Sequence, residues 1–278
     1  MVRVRYSFSS RRTGKVKNIS RQRPKFPEVL QKVVAESDII LEVLDSRFFM
    51  EMRNKGVEEL IRSSEKKLIY VLNKSDLVDV KKIPQEKFND FKPFIFVSAK
   101  SGESFKKLKD RLKIEAKRLG VENKKVFVGV IGYPNTGKSS VINRLARRGA
   151  AGTSKQAGFT KGTQKVKLAE NLYILDTPGV IPEEEYSSDS KERMAKDLIL
   201  GGRTYSNVKN PDDIVLKIMN EYVGVLERHY KIESNGDNEI LIEELGKKMN
   251  FLKKGGVVDF DRTARFILRD WQEGKVLI

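Results

Sequence analysis

One nine-residue stretch constrains this chain more than any other. Gly132–Ser140, GYPNTGKSS, fits the phosphate-loop pattern G-x-x-x-x-G-K-[ST]. An apolar run, Val126–Ile131, precedes it and a helical pattern, Ser139–Arg147, follows. The loop therefore sits between a strand and a helix, as phosphate binding requires. Its glycines let backbone N–H groups close around phosphate oxygens with no Cβ in the way. Pro134, Asn135, Thr136, Gly137, Lys138, Ser139 and Ser140 are the expected phosphate-contacting set. Lys138 would reach the β- and γ-phosphates, and the Ser139 hydroxyl would ligate magnesium.

Read in order, strands alternate with helices. Phe26–Glu36 reads as a helix, Ser37–Ser46 as a buried strand, Glu51–Ser63 as a helix and Leu68–Leu72 as a second strand. A helical stretch is expected next, before a third strand at Phe94–Val97. Gly102–Leu119 carries an amphipathic stripe of Phe105, Leu108, Leu112 and Leu119. After the phosphate loop come a polar loop at Gln156–Thr163 and short strands at Lys165–Leu168 and Leu172–Leu175. This alternation predicts an α/β domain with a mostly parallel sheet and helices on both faces. Lys191–Ile278 reads as helices at Lys191–Gly201, Asp212–His229, Glu239–Asn250 and Asp261–Glu273. The expected units are a basic arm at 1–25, an α/β domain at 26–185 and an all-α domain at 186–278.

Each strand that ends in a motif adds a piece of nucleotide chemistry. The second strand runs into NKSD, Asn73–Asp76. A carboxylate at Asp76 can accept from the ring N–H and exocyclic amine of guanine, a pattern adenine lacks. Asn73 can reach the base edge and brace the phosphate loop, while the Lys74 stem covers the base face. The third strand ends in Ser98, Ala99 and Lys100, with the Ala99 N–H offered to the guanine carbonyl. Leu172–Leu175 ends in DTPG, where Asp176 would hold magnesium through water and the Gly179 N–H would sense a γ-phosphate. Thr160 is the candidate switch threonine over that magnesium, with Thr163 its competitor. Lys138, Thr160 and Gly179 are thus the candidate catalytic set for a GTP/GDP site.

Together these are the elements of a Ras-like GTPase in altered order, because NKSD and SAK precede the phosphate loop. The chain resembles the circularly permuted GTPases of the YlqF/YawG (RbgA-like) group. Val43–Arg47, VLDSR, looks like that group's V-x-D-A-R, and Leu252, Lys254, Gly255, Gly256 and Asp259 resemble its RNA-contacting helical domain. The resemblance implies a GTP-hydrolysing switch in large-subunit ribosome assembly, with ribosomal RNA and the large ribosomal subunit as partners. It also implies potassium held partly by Asn135. Val180 stands where Ras-like enzymes place a water-orienting glutamine, so intrinsic hydrolysis is expected to be slow. The histidine proposed for catalysis in some bacterial members has no counterpart, since the one histidine is His229.

Composition narrows the alternatives. With no cysteine and one histidine, a disulfide framework or catalytic zinc site is not expected. The net charge is +17. Nine basic residues and no acidic one lie between Met1 and Lys25, which suits an arm on RNA or a solubilising tail. In the last helix Arg262, Arg265 and Arg269 share a face, open either to RNA or to a solvated surface. Lys247, Lys248, Lys253 and Lys254 add a basic cluster. The opening residues hold no apolar signal-peptide core, which gives the expectation of a cytoplasmic protein, monomeric off the ribosome and without a membrane partner. Two other readings stay open: a GTPase acting on another RNA or a translation factor, and a signalling switch whose arm meets an acidic membrane.

Overall fold

The computed structural model describes residues 26–120, 124–147, 164–176 and 191–278. The basic arm, Thr160, Thr163, Gly179 and Val180 lie outside the described residues. The strands are β1 (Ile39–Asp45), β2 (Lys67–Asn73), β3 (Phe94–Phe96), β4 (Val126–Ile131), β5 (Gln164–Ala169) and β6 (Leu172–Asp176). They form one sheet in the order β3-β2-β1-β4-β6-β5. All neighbours are parallel except the β5–β6 hairpin. β1 is central, and all seven of its residues are buried. A strand covered on both faces reads as a continuous apolar run, which is why IILEVLD looks as it does.

One face of the sheet is covered by α3 (Phe105–Arg118) and α4 (Lys138–Arg147), through Leu108, Leu112, Val141 and Leu145. The other face meets α1 (Phe26–Glu36) and α2 (Lys55–Ser63). On that side the apolar cluster continues into the C-terminal helices: α5 (Lys191–Ile199), α6 (Pro211–Glu221), α7 (Val225–Tyr230), α8 (Asn238–Lys248) and α9 (Phe260–Gln272). Phe48, just after β1, makes the junction, with its ring 5.8 Å from that of Trp271 and 6.0 Å from that of Tyr222.

Three local expectations differ from the structure. Helix α2 begins at Lys55 instead of Glu51, because the Asn54 side chain caps it by accepting from the Val57 N–H. The expected helix between β2 and β3 is a series of short 3₁₀ turns at Ser75–Leu77, Val80–Lys82 and Gln85–Phe88, the last entered through Pro84. The expected helix Asp212–His229 is broken at Gly224, whose φ of +71° ends one helical path and starts α7.

On the arginine face of α9, Arg265 is committed to the protein itself, while Arg262 stays exposed. Arg265 donates to the carbonyls of Tyr205, Ser206 and Val208 and pairs with Asp261, so it fastens the α5–α6 connection. Arg262 lies over the Phe251 ring and Arg269 over the Phe266 ring. The stripe therefore holds neighbouring segments. Of the nearby lysines, Lys248 donates to the Tyr230 carbonyl and Lys247 pairs with Glu243 and Glu244.

Glu42 interrupts the apolar run of β1 and is 3% exposed. Its Oε2 has no hydrogen-bond partner among the described residues. Burial, reinforced by the Glu58 carboxylate, pushes its pKa up to about 8. Folded Glu42 therefore holds its proton more tightly than unfolded Glu42, whose pKa is near 4.5. Its contribution to stability is full below that value and is lost as pH rises through 8. Glu42→Gln should flatten this slope, gaining on the wild type by up to about 1.4 kcal/mol per pH unit across the window. Urea unfolding at the two ends of the window checks it; parallel stability curves would contradict the assignment.

Candidate functional site

Parallel strands bring their carboxyl ends to one edge of a sheet, so β1, β2, β3, β4 and β6 all end there. Asn73 closes β2 and is 2% exposed. Its Nδ2 donates to the Thr136 carbonyl of the phosphate loop at 2.7 Å, and its Oδ1 accepts from the Ala99 N–H at 3.1 Å. One amide thus fastens three loops. The Ala99 N–H, the expected partner of a guanine carbonyl, is bonded here to Asn73.

The two loop glycines are required by the protein as well as by phosphate. A Cβ on Gly137, where φ is +90°, would collide with Nδ2 of Asn73. A Cβ on Gly132 would collide with the Val43 carbonyl of neighbouring β1. Thr136 is fully buried, its hydroxyl donating to the Tyr133 carbonyl at 2.9 Å. Pro134 shapes the turn, and Lys138, Ser139 and Ser140 open the ten-residue helix α4. The exposed N–H groups of that helix terminus favour an anion.

Lys138 folds back onto the loop, donating to the Gly132 and Tyr133 carbonyls at 2.8 and 2.7 Å. Burial lowers its pKa to about 8.

Beside the loop a cavity of about 250 Å³ is lined by Asn73, Lys74, Asp76, Ala99, Lys100 and Ser140, among others. Ser98 is buried, and its hydroxyl donates to Asp76 Oδ1 at 2.6 Å, fixing the carboxylate that would read the base. Lys74 adopts a left-handed conformation, φ +61°, and its Nζ pairs with Asp45 Oδ2 at 2.7 Å. The stem that would cover the base is therefore anchored at its far end.

Asn135 was expected to help hold potassium. Its Nδ2 donates to the Gly201 carbonyl at 2.6 Å, just beyond α5, and the neighbouring Tyr133 hydroxyl donates to Asp197 of α5 at 2.6 Å. Ser139 is exposed on the first turn of α4. Asp176 closes β6 beside β4, on the same sheet edge as the phosphate loop. Thr160 and Gly179, the remaining members of the expected set, fall outside the described residues.

Two residues were not foreseen on chemical grounds. Asp45 and Arg47 are almost fully buried, with a forked pair of bonds between them at 2.9 and 3.1 Å. Opposite charges two residues apart, at the end of an uninterrupted buried strand, are the signal that marks such a pair. Arg47 holds the Asp45 carboxyl below the usual range even against burial, with Lys74 adding to the effect.

Phosphate oxygens near Lys138 would restore its full charge, so nucleotide binding near pH 8 should take up protons. Calorimetry of GDP binding in buffers of different ionisation enthalpy should find an uptake of up to about half a proton at pH 8, fading toward pH 6.5. An uptake of zero at both values would contradict the placement of phosphate at Lys138.

Comparison with known proteins agrees with this geometry. A family model described as 50S ribosome-binding GTPase matches residues 127–249. The chain is 37% identical over 256 residues to an uncharacterized GTP-binding protein of Methanocaldococcus jannaschii, covering 90% of this chain and 65% of that protein. It is 34% identical over 258 residues to nucleolar GTP-binding protein 2 of Saccharomyces cerevisiae, covering 89% and 51%. The chain thus spans about half to two-thirds of these relatives' lengths. Among solved structures, GDP-bound YlqF superposes with a TM-score of 0.62 at 27% identity, covering 88% of this chain and 94% of that one. GNP-bound YlqF from T. maritima gives 0.61 at 27% identity, covering 90% and 94%.

Proposed function

We propose that the chain is a YlqF-like circularly permuted GTPase, which binds and hydrolyses GTP as a switch in assembly of the large ribosomal subunit. The observation that carries this reading is the Asn73 amide, which joins the phosphate loop to the base-reading loops and makes three separate motifs one site. The family description supports a ribosomal role, and the name of the yeast relative supports GTP binding.

Asp76 reads guanine, with Ser98 holding its carboxylate and Lys74 covering the base. Lys138 and the N-terminus of α4 hold the phosphates. Magnesium would sit between these phosphates and Ser139, Asp176 and Thr160, where it would offset developing charge during phosphoryl transfer. Among the described residues no group of three or more His, Cys, Asp or Glu could hold a metal without a nucleotide. Potassium would be met by the Asn135 amide oxygen, since its nitrogen is held by Gly201. The chain's place of action is wherever large subunits are assembled, whether cytoplasm or nucleolus. Among the described residues no helix is long and apolar enough to cross a membrane. RNA contact falls to the basic arm at 1–25 and to the exposed turn around Lys253 and Lys254, with Arg265 of α9 already bonded to the Tyr205 and Val208 carbonyls.

Asp76→Asn should weaken GTP binding and admit xanthosine nucleotides, whose extra carbonyl accepts from the new amide; unchanged GTP affinity would contradict the guanine assignment. The function itself is tested by sedimentation with large ribosomal subunits in GDP and in a nonhydrolysable GTP analogue. Affinity should differ between the two states by roughly 5–150-fold, the usual range of coupling between sites. Equal affinity in both would leave an RNA-binding GTPase without a switch, and absence of subunit binding would favour a different RNA.

A further inference from the structure

The base-reading loop is bounded on its outer side by a piece of the chain nearly two hundred residues away. Glu273 and Gly274, the turn that ends α9, line the same cavity as Asn73, Lys74 and Asp76. Gly274 has φ +71°, and a Cβ there would collide with Cδ1 of Leu77, the residue after Asp76. Leu77 is 6% exposed, so it has little room to withdraw.

A second contact sets the register of this turn. Arg47 Nη1 donates to the Trp271 carbonyl at 2.8 Å, while its other nitrogens grip Asp45. The Asp45 carboxylate also holds Lys74 Nζ at 2.7 Å. A single buried carboxylate thus ties the base-covering lysine and, through Arg47, the end of α9 to one point. The Asp45–Arg47 pair at its centre is buried and has a fixed geometry, since moving either member leaves a buried charge unsatisfied. The Trp271 indole adds to the rigidity by donating to the Ile199 carbonyl at 2.9 Å.

We propose that the Glu273–Gly274 turn is the outer wall of the guanine pocket and positions the NKSD loop through Leu77, so that the C-terminal helices help to hold the base. The inference rests on the guanine-nucleotide reading of the cavity. Gly274 acts as a positioning residue: its missing side chain lets Leu77 close beneath Asp76, and Arg47 keeps the turn in place. Because the wall stands beside the base, the consequence falls on base affinity and discrimination, with the phosphates unaffected.

The test is the equilibrium affinity and dissociation rate of fluorescently labelled GDP on the full chain. Wild-type binding checks the underlying reading; its absence would overturn that reading by itself. Given binding, Gly274→Ala should weaken it about tenfold or more, mainly through faster release. Gly236→Ala is the matched control, because Gly236 also has positive φ, +82°, but nothing lies within 4 Å of a Cβ there. It should change affinity less than about twofold, so strain alone is accounted for. Thermal melting of each variant without nucleotide checks that Gly274→Ala still folds. The decisive measurement is the same substitution in a Leu77→Ala background, where the collision is removed and the loss should shrink below about threefold. Equal losses in both backgrounds, or no loss from Gly274→Ala, would overturn the proposal. Preserved affinity for inorganic pyrophosphate in Gly274→Ala would support the assignment to the base side, and a parallel loss of pyrophosphate binding would refute it.

Discussion

The site depends on one side chain having both a donor and an acceptor at the end of a buried strand. Asn73 meets the phosphate loop with its nitrogen and the SAK loop with its oxygen. Aspartate at this position would set a carboxylate against the Thr136 carbonyl, and leucine would leave both partners buried without a bond, a cost of about 1–3 kcal/mol for each orphaned group. The strut also explains why Gly137 cannot carry a side chain: the amide occupies that space. The loops it joins come from β2, β3 and β4, which the sheet order puts side by side with only β1 intervening. Permuting the chain changes which loop is made first but leaves this adjacency intact.

Much of that was readable from the residues, for a specific reason. A parallel sheet buried on both faces turns each strand into an apolar run, and each run here ends in polar residues with a chemical task. β1, β2, β4 and β6 were therefore visible within about two residues. Helices were harder to read where their ends depend on single residues. Asn54 caps α2 late, Pro84 accompanies short turns where a helix was expected, and Gly224 divides α6 from α7. These are local decisions that periodicity over a longer window averages away.

The charged residues show a different gap. Spacing placed Arg262, Arg265 and Arg269 on one face of a helix, and that placement holds. It could not say what the face would meet. The carbonyls that Arg265 binds lie nearly sixty residues earlier, in an irregular segment with no pattern of its own. Arginine is well suited to such a place, because its planar fork can satisfy several carbonyls while its stem packs on aromatic rings. Net charge alone therefore overstates the surface available to a polyanion.

The permuted order suggests that the C-terminal helices hear of the nucleotide through the segment after DTPG, since the chain passes directly from one to the other. The structure adds two routes that do not use that segment. Tyr133 and Asn135, the variable positions of the phosphate loop, hold Asp197 and Gly201 at the end of α5. At the opposite side of the site Arg47 holds the end of α9. The helices thus grip the phosphate end and the base end of one ligand cradle. Between those grips Trp271 binds the Ile199 carbonyl, and Gln272 binds the Leu198 and Arg203 carbonyls, which makes α5 and α9 a single strap. A displacement of the phosphate loop that moves Asn135 must therefore stretch this strap or turn it as a unit. Turning costs less than breaking buried hydrogen bonds, each of which leaves an orphaned group behind. The bonds at both ends are kept only where α5 and α9 follow the loop together.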